Sequence, residues 1–551
     1  MGNGVKLLQR IARLGRLEKI KVEGFKSLKN IEIEFPTKVT ILIGPNASGK
    51  TALVEVFELL QNIREYVEGQ TLDPISKWWR FENISWMHSN NPIRITLKLD
   101  YRDLPEKIEE VLNEKEVKTL HEYDIKYLKD VFSIPLSITY QVSVSSNGSK
   151  IAIADEAIVE AHSLDLNIRL KTEENELKIV MDSLKIKQYI EKNLEELTNQ
   201  GVKFYCERVV YKFLCENESR ELLRNLYRKL ISEVARNLDG GELSIPTSVE
   251  APSLLKVLND IMEDIKRLDF SGIMEFFIIE IVDGVSAVIE GVAGPILEEQ
   301  FPTLKEQSRD KLLKDVIEAL SIIFNGALRV SDLAFAAVIL VGGFIHGIEV
   351  LKHVDVYRVS EPQRPARQYR LRPNAENLVS FIHTMYSEGG VGFIRGLEAV
   401  VRDVMRVDSV SIGFGYTGDG RVFLKLIVDG KFELLPPSIP AGVWKAMAIE
   451  AAVLSGPSIL LVDEFENSLH VEAQEYLLSE IRDSGVTAII ATHSPVVIDL
   501  ARSLDELLLL EYKDYETKAY RFKESKELQE KLEKLGLTVS EAVLYRIIPR
   551  G

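Results

Sequence analysis

The chain of 551 residues is short of the residues that mark several specialised protein classes. It has two cysteines, Cys206 and Cys215, nine positions apart and without C-x-x-C spacing, which excludes a disulfide scaffold or a zinc ribbon and leaves two reduced, buried thiols as the expectation. Long hydrophobic runs are missing as well. The longest uncharged stretch, Leu333 to Ile348, has 16 residues with His346 and three glycines among them. A membrane helix needs about 20, so a buried helix is expected there and no membrane contact. Arg10, Arg13 and Arg16 break up the N-terminal leucines, which leaves no apolar core for a secretory signal and points to a cytoplasmic protein. Positive charge is in deficit, 68 Lys and Arg against 84 Asp and Glu for a net charge of -16, so polyanions cannot bind over the whole surface and any nucleic-acid contact must be a local patch.

Two local patches exist. Lys6, Arg10, Arg13, Arg16, Lys19, Lys21, Lys26 and Lys29 face only Glu18 and Glu23 within the first thirty positions; a frayed helix with a charged face is the plainer reading. Arg358, Arg364, Arg367, Arg370 and Arg372 cluster with Tyr369 and three prolines between Tyr357 and Pro373. That stretch is either a phosphate grip or, as the favoured reading, a solvated, proline-stiffened connection.

The remaining composition, 46% hydrophobic and 28% charged, is that of a globular protein, and the length implies about two to four domains. Leu17–Val22 and Ile31–Phe35 read as short strands, and Val39–Ile43 as a strand buried on both faces. A helical pattern follows from Thr51 to Gly69, then alternating strands at Ile93–Tyr101 and Leu136–Val144. From about Leu177 to Val350 the pattern turns helical, as at Leu184–Thr198, Ser219–Asn237, Ser253–Leu268 and Leu304–Phe324, without a sustained heptad. Strands return at Val410–Phe414, Arg421–Val428 and Phe432–Leu435, a helix at Val443–Ser455, and buried strands at Ser458–Val462 and Thr487–Ala491. The expected architecture is α/β, with residues 1–165 and 353–551 forming two halves of one head and 166–352 a mostly α-helical insertion between them.

Between the buried strand and the helix lies Gly44-Pro45-Asn46-Ala47-Ser48-Gly49-Lys50-Thr51, which fits G-x-x-x-x-G-K-[ST] without a mismatch. Such a loop cradles phosphates with backbone N–H groups, places Lys50 on the β- and γ-phosphates and offers Thr51 to Mg²⁺. Asp463 and Glu464 end another buried strand. An acid there needs a cation, so Asp463 is expected to ligate the Mg²⁺ of ATP, directly or through water, and Glu464 to act as general base on the attacking water. Glu466 is a weaker candidate or a surface residue. His493, in Thr492-His493-Ser494-Pro495 at the tip of a further strand, is placed to hydrogen-bond the γ-phosphate or the water. Gln141 reads as structural.

These motifs, with Val22-Glu23-Gly24-Phe25-Lys26-Ser27 and Asp463-Glu464-Phe465-Glu466-Asn467-Ser468-Leu469-His470, resemble ABC-type ATPase heads of the SMC, RecF and OLD kind, in particular AAA-domain ATPases with E-x-x-L-H after Walker B. The resemblance spans about residues 17–165 and 353–512 and implies a P-loop NTPase head that closes on ATP as a dimer. Each nucleotide would then meet the signature motif of the other subunit. Ser438 to Lys445 occupies the signature position, with Ser438, Gly442 and Lys445 as the expected trans contacts, but Pro440 stands where the family usually has serine. The resemblance implies ATP hydrolysis in DNA maintenance or anti-phage and mobile-element defence. Pro440 keeps open an alternative, a slow or inactive regulatory subunit that controls partner docking. The fifty or so residues after Leu500 lack the acidic constellation of a Toprim nuclease, so any nuclease or effector is expected to be a separate partner, and DNA a candidate ligand.

Overall fold

The computed structural model describes residues 3–112, 131–181 and 336–544, apart from 68, 147–150, 163–165, 174–175, 389, 523–529 and 531–533, together with 129 and 333. The helices expected at Leu184–Thr198, Ser219–Asn237, Ser253–Leu268 and Leu304–Phe324, and both cysteines, lie outside the described residues. The chain divides into two units: residues 1–7, 102–138 and 154–339, and residues 8–101, 139–153 and 340–551.

The second unit holds the predicted motifs. Its central sheet has the order β16-β15-β3-β14-β13-β9, built from β3 (Val39–Ile43), β9 (Ile348–Leu351), β13 (Ile459–Val462), β14 (Ala488–Ala491), β15 (Leu507–Lys513) and β16 (Glu516–Arg521). The first five of these, from β3 to β15, run parallel and β16 closes the edge antiparallel. Every residue of β3, β9, β13 and β14 is buried, as continuous apolar strands covered on both faces require. A second sheet places β1 (Arg16–Phe25) between β2 (Leu28–Glu34) and β4 (Ile93–Tyr101), with β5 (Leu136–Ser146) next to β4. Here apolar and polar residues alternate, so one face is buried. A third, small sheet is formed by β10 (Val410–Tyr416), β11 (Val422–Val428) and β12 (Phe432–Leu434).

The helices of this unit include α1 (Asn3–Ala12, from Leu8 onward), α2 (Lys50–Val67), α4 (Leu378–Ser387), α5 (Val391–Met405), α6 (Ala441–Leu454) and α7 (Val471–Asp483). In the first unit α3 (Leu104–Leu112) accompanies the antiparallel strands β6 (Ile151–Ala161), β7 (Leu166–Glu173) and β8 (Glu176–Met181). One core cluster joins β3, β9, β13 and β14 to α4 through α7. The sequence of α6 is apolar almost all round, and Val443 to Val453 is buried without a break, so α6 is an interior helix.

Two expected boundaries shift. Residues 166–181 are strand, not the start of a helical insertion, because β7 and β8 continue the antiparallel meander of β6. Residues 348–351, placed in the insertion by the sequence, are β9, an edge strand of the central sheet beside β13. The apolar run before it is the expected buried helix over 336–346, and Gly347 ends it where a Cβ would press on Ser458.

Candidate nucleotide site

Because β3, β14, β13 and β9 are parallel, their C-terminal ends share one edge, and the chemistry-bearing segments leave the sheet there: Gly44–Thr51 after β3, Lys352 after β9, Asp463–Glu466 after β13 and Thr492–Ser494 after β14. This is where an open α/β sheet binds ligands.

The loop after β3 needs its glycines. Gly44 and Gly49 have φ of +149 and +103, and a Cβ on either would overlap the Leu510 carbonyl oxygen or Thr517 Oγ1. The β15–β16 hairpin therefore braces the loop, and Thr517 in turn donates its hydroxyl to Ser27 Oγ at 2.8 Å. The sequence reading missed this hairpin, although the run Leu507–Leu510 was its signal. Lys50 folds over the loop and donates to the carbonyls of Gly44 at 2.8 Å and Pro45 at 3.1 Å. Burial lowers its pKa, while Asp463 and then Glu466 pull it back up. Pro45, Asn46, Ala47 and Thr51 are exposed, and the Ser48 hydroxyl is buried without a partner among the described residues. A loop whose glycine positions exclude side chains, with an unsatisfied hydroxyl and a lysine lying over it, fits a phosphate chain at the start of α2. Thr51 and the buried Asp463 would supply protein oxygens to Mg²⁺, with phosphate and water oxygens completing its shell.

Glu464 is exposed and adopts φ +48, a left-handed conformation costly for a residue with a side chain. Its carboxylate accepts from Asn467 Nδ2 at 2.5 Å, and its N–H donates to Asp463 Oδ1 at 3.1 Å. The His493 side chain is exposed at the same edge, and its backbone N–H donates to Glu466 Oε1 at 2.8 Å. The Thr492 hydroxyl donates to Glu466 Oε2 at 2.7 Å. Glu466, set aside by the sequence as a weaker candidate or a surface residue, is thus the tie between the β13 and β14 loops. Its E-x-x-L-H context was the only available signal.

The signature segment is partly exposed and partly packed into its own chain. Ser438 is exposed, Pro440 precedes the first turn of α6, and a Cβ on Gly442 would stand 2.5 Å from the Ser468 carbonyl oxygen. Lys445, expected as a contact to another subunit, is instead 2% exposed, with its ammonium 3.5 Å from the carbonyl oxygens of Lys352 and Glu464 of the same chain. Burial pushes its pKa down to about 8, against the pull of Asp463, Glu464 and Glu466. The packed helix α6 leaves its side chain facing inward.

Residues outside the site are spent on internal contacts. Gln141 accepts from the Thr96 hydroxyl at 3.3 Å across β4 and β5. Of the basic N-terminal residues, Arg13 donates to the Ser455 carbonyl at 2.8 Å, Arg16 to that of Phe35 at 2.8 Å, Lys19 pairs with Glu32 at 2.6 Å, and Lys26 pairs with Glu55. Arg358 and Arg372, both exposed, pair with Glu376, Arg370 donates to the Ile348 carbonyl at 3.0 Å, and Arg364 and Arg367 are exposed as well. No helix among the described residues is long and apolar enough to cross a membrane.

A phosphate loop after one parallel strand and an acidic pair after another, with a further strand between them, define a mixed α/β P-loop ATPase head. A family model described as an AAA ATPase domain matches residues 16–313, and the chain belongs to that family. A second, for an AAA domain of the AbiEii toxin, Type IV TA system kind, matches residues 307–499. A lipoprotein-releasing system ATP-binding protein LolD from Granulibacter bethesdensis is 39% identical over 75 residues, 13% of this chain and 31% of LolD. The chain thus spans about a third of that relative's length. Among solved structures, the Smc head domain from Pyrococcus furiosus with an extended coiled coil, bound to the C-terminal domain of ScpA, is 13% identical with a TM-score of 0.37, covering 95% of this chain and 99% of that one. An SmcHead bound to the C-winged helix domain of ScpA is 11% identical with a TM-score of 0.39, covering 93% and 99%.

Proposed function

We propose that this protein binds Mg²⁺-ATP and hydrolyses it as an ATP-gated head dimer in the cytoplasm. The observation that carries this reading is the convergence of Gly44–Thr51, Asp463–Glu464 and His493 on one edge of one sheet. The loop residues Gly44 to Gly49 and the start of α2 hold the phosphates, and Lys50 leaves the Gly44 and Pro45 carbonyls to meet the β- and γ-oxygens. Glu464 takes a proton from a water whose oxygen attacks the γ-phosphorus; the bond to the β-phosphate oxygen breaks and ADP leaves. His493 orients the γ-phosphate or the water. Mg²⁺, when held by Thr51 and Asp463, neutralises phosphate charge.

The match of residues 307–499 to the AbiEii-type model favours a role in defence against phage or mobile elements over DNA maintenance, with a separate protein as effector and DNA as a candidate ligand. A second reading, a slow nucleotide-controlled regulatory subunit, is favoured by Pro440 in the serine position and by the inward Lys445. ATP turnover of wild type and Glu464→Gln, with light scattering with and without Mg²⁺-ATP, separates the two. Turnover in wild type and an ATP-stabilised dimer of the variant support the first. ATP binding with neither supports the second.

A further inference from the structure

Lys445 lies between two groups that the nucleotide reading uses differently. Its chain neighbours Trp444 and Ala446 are fully buried and only 2% of Lys445 itself is exposed, so the ammonium cannot reach another molecule without unpacking α6. It stands 3.5 Å from two carbonyl oxygens, that of Lys352 just beyond β9 and that of Glu464 just beyond β13. The Lys352 side chain is itself held by Glu55 at 2.9 Å and Glu58 at 2.8 Å, both on α2, the helix that begins at the phosphate loop. The second carbonyl belongs to a residue with φ +48, a conformation that persists only where its surroundings over-determine it.

We infer that Lys445 is a positioning residue acting within its own subunit: its buried ammonium clamps the Glu464 carbonyl to the end of β9 and so fixes where the Glu464 carboxylate points. Rotating that peptide swings the carboxylate, because backbone and side chain leave the same Cα. An ammonium directed at carbonyl oxygens supplies a charge-assisted contact that an apolar side chain of the same length cannot. The clamp also runs from α2 through Lys352 to the acidic loop, so phosphate loop and base are referenced to one another. The inference rests on the proposed reading of Glu464 as the base.

The test uses the full chain with Lys445→Met, which keeps the stem and removes the charge, and Lys445→Gln, which keeps one donor. Hydrogen exchange of the peptide covering residues 463–469, without nucleotide, is expected to quicken about tenfold in K445M and less in K445Q, with the rest of the core unchanged. The affinity for a fluorescent ATP analogue is expected to hold within about twofold while kcat falls roughly thirtyfold, again with K445Q between. Unchanged exchange at 463–469 overturns the clamp, and so does quickened exchange spread over the whole core. Normal protection at 463–469 with lost ATP-driven association overturns it in favour of a contact to a second subunit. If K445M does not fold, K445Q against wild type carries the same readings. A wild type that binds the analogue but never turns over sinks the hydrolysis reading alone, and the exchange measurement still decides the clamp.

Discussion

The Glu466 carboxylate accepts the backbone N–H of His493 at 2.8 Å, and its second oxygen accepts the Thr492 hydroxyl at 2.7 Å. One side chain after β13 thereby sets the position of the loop after β14. Glu466→Gln replaces one accepting oxygen by a donor and leaves either the hydroxyl or the N–H facing it. The expected result is a kcat lower by about tenfold with ATP affinity within about twofold, since the phosphate loop is untouched. Steady-state turnover beside equilibrium ATP binding checks this, and equal losses in both would show that Glu466 supports the fold instead.

Gly49 meets two separate obstacles to a side chain, its φ of +103 and the overlap of a Cβ with Thr517. Gly49→Ala is expected to cost about 1–3 kcal/mol and to weaken ATP binding strongly, because both the strain and the overlap distort the loop that holds phosphate. Adding Thr517→Ala removes the Oγ1 and Cγ2 atoms that a Cβ would meet at 2.3 and 2.9 Å, keeps the Thr517 Cβ at 3.1 Å, and leaves the strain. The double variant should therefore regain part of the stability in thermal melts and part of the ATP affinity in titration, but not all of either.

The parts of this molecule that could be read from its sequence are those where short-range pattern and chemistry coincide. Apart from Thr40, Ser458 and Thr487, the segments Val39–Ile43, Ser458–Val462 and Thr487–Ala491 are apolar because both faces are covered, and each leads directly into a motif whose residue types are dictated by phosphate or metal. The strand at Ile348–Leu351 was hidden because it is four residues long, carries Glu349, and follows an uncharged apolar helix that ends at His346, with only Gly347 between. Its strand state is imposed by pairing with β13, a contact over a hundred residues away in sequence. The internal contacts of Lys445 and Glu466 were hidden for a related reason. Nothing in spacing tells whether a charged residue next to a motif points into its own chain or away, since burial of α6 and the meeting of the β13 and β14 loops are tertiary facts.

The Tyr101 hydroxyl, fully buried at the end of β4, lies 2.7 Å from the Ala12 carbonyl oxygen and 3.1 Å from that of Leu340. It ties the end of α1 to the buried helix over 336–346. Burial raises its pKa well above the usual tyrosine value, so it remains a donor at any ordinary pH. Tyr101→Phe keeps the ring packing and removes the donor. A loss of about 1–2 kcal/mol is expected from thermal or denaturant unfolding, with ATP affinity unchanged because Tyr101 stands on the second sheet and not on the central sheet that carries the nucleotide edge.

Glu450 is a buried carboxyl on α6 whose Oε2 has no partner among the described residues. Burial, and then the charge of Glu480, push its pKa up to about 7 from the ordinary 4.5. The folded chain therefore keeps a proton that the unfolded chain has released. Below about 4.5 both states are protonated and the group costs nothing; as pH rises toward 7 the unfolded state gains, and above 7 the full cost of a buried anion is reached. A shift of this size is worth at most about 3 kcal/mol, and solvent relaxation around the anion reduces that to about 1–2 kcal/mol. Glu450→Gln, neutral at every pH, is expected to melt close to wild type at pH 5 and a few degrees above it at pH 8. Melting curves across that range at constant ionic strength decide the matter: profiles that run parallel for variant and wild type would mean that Glu450 ionises freely in the folded protein.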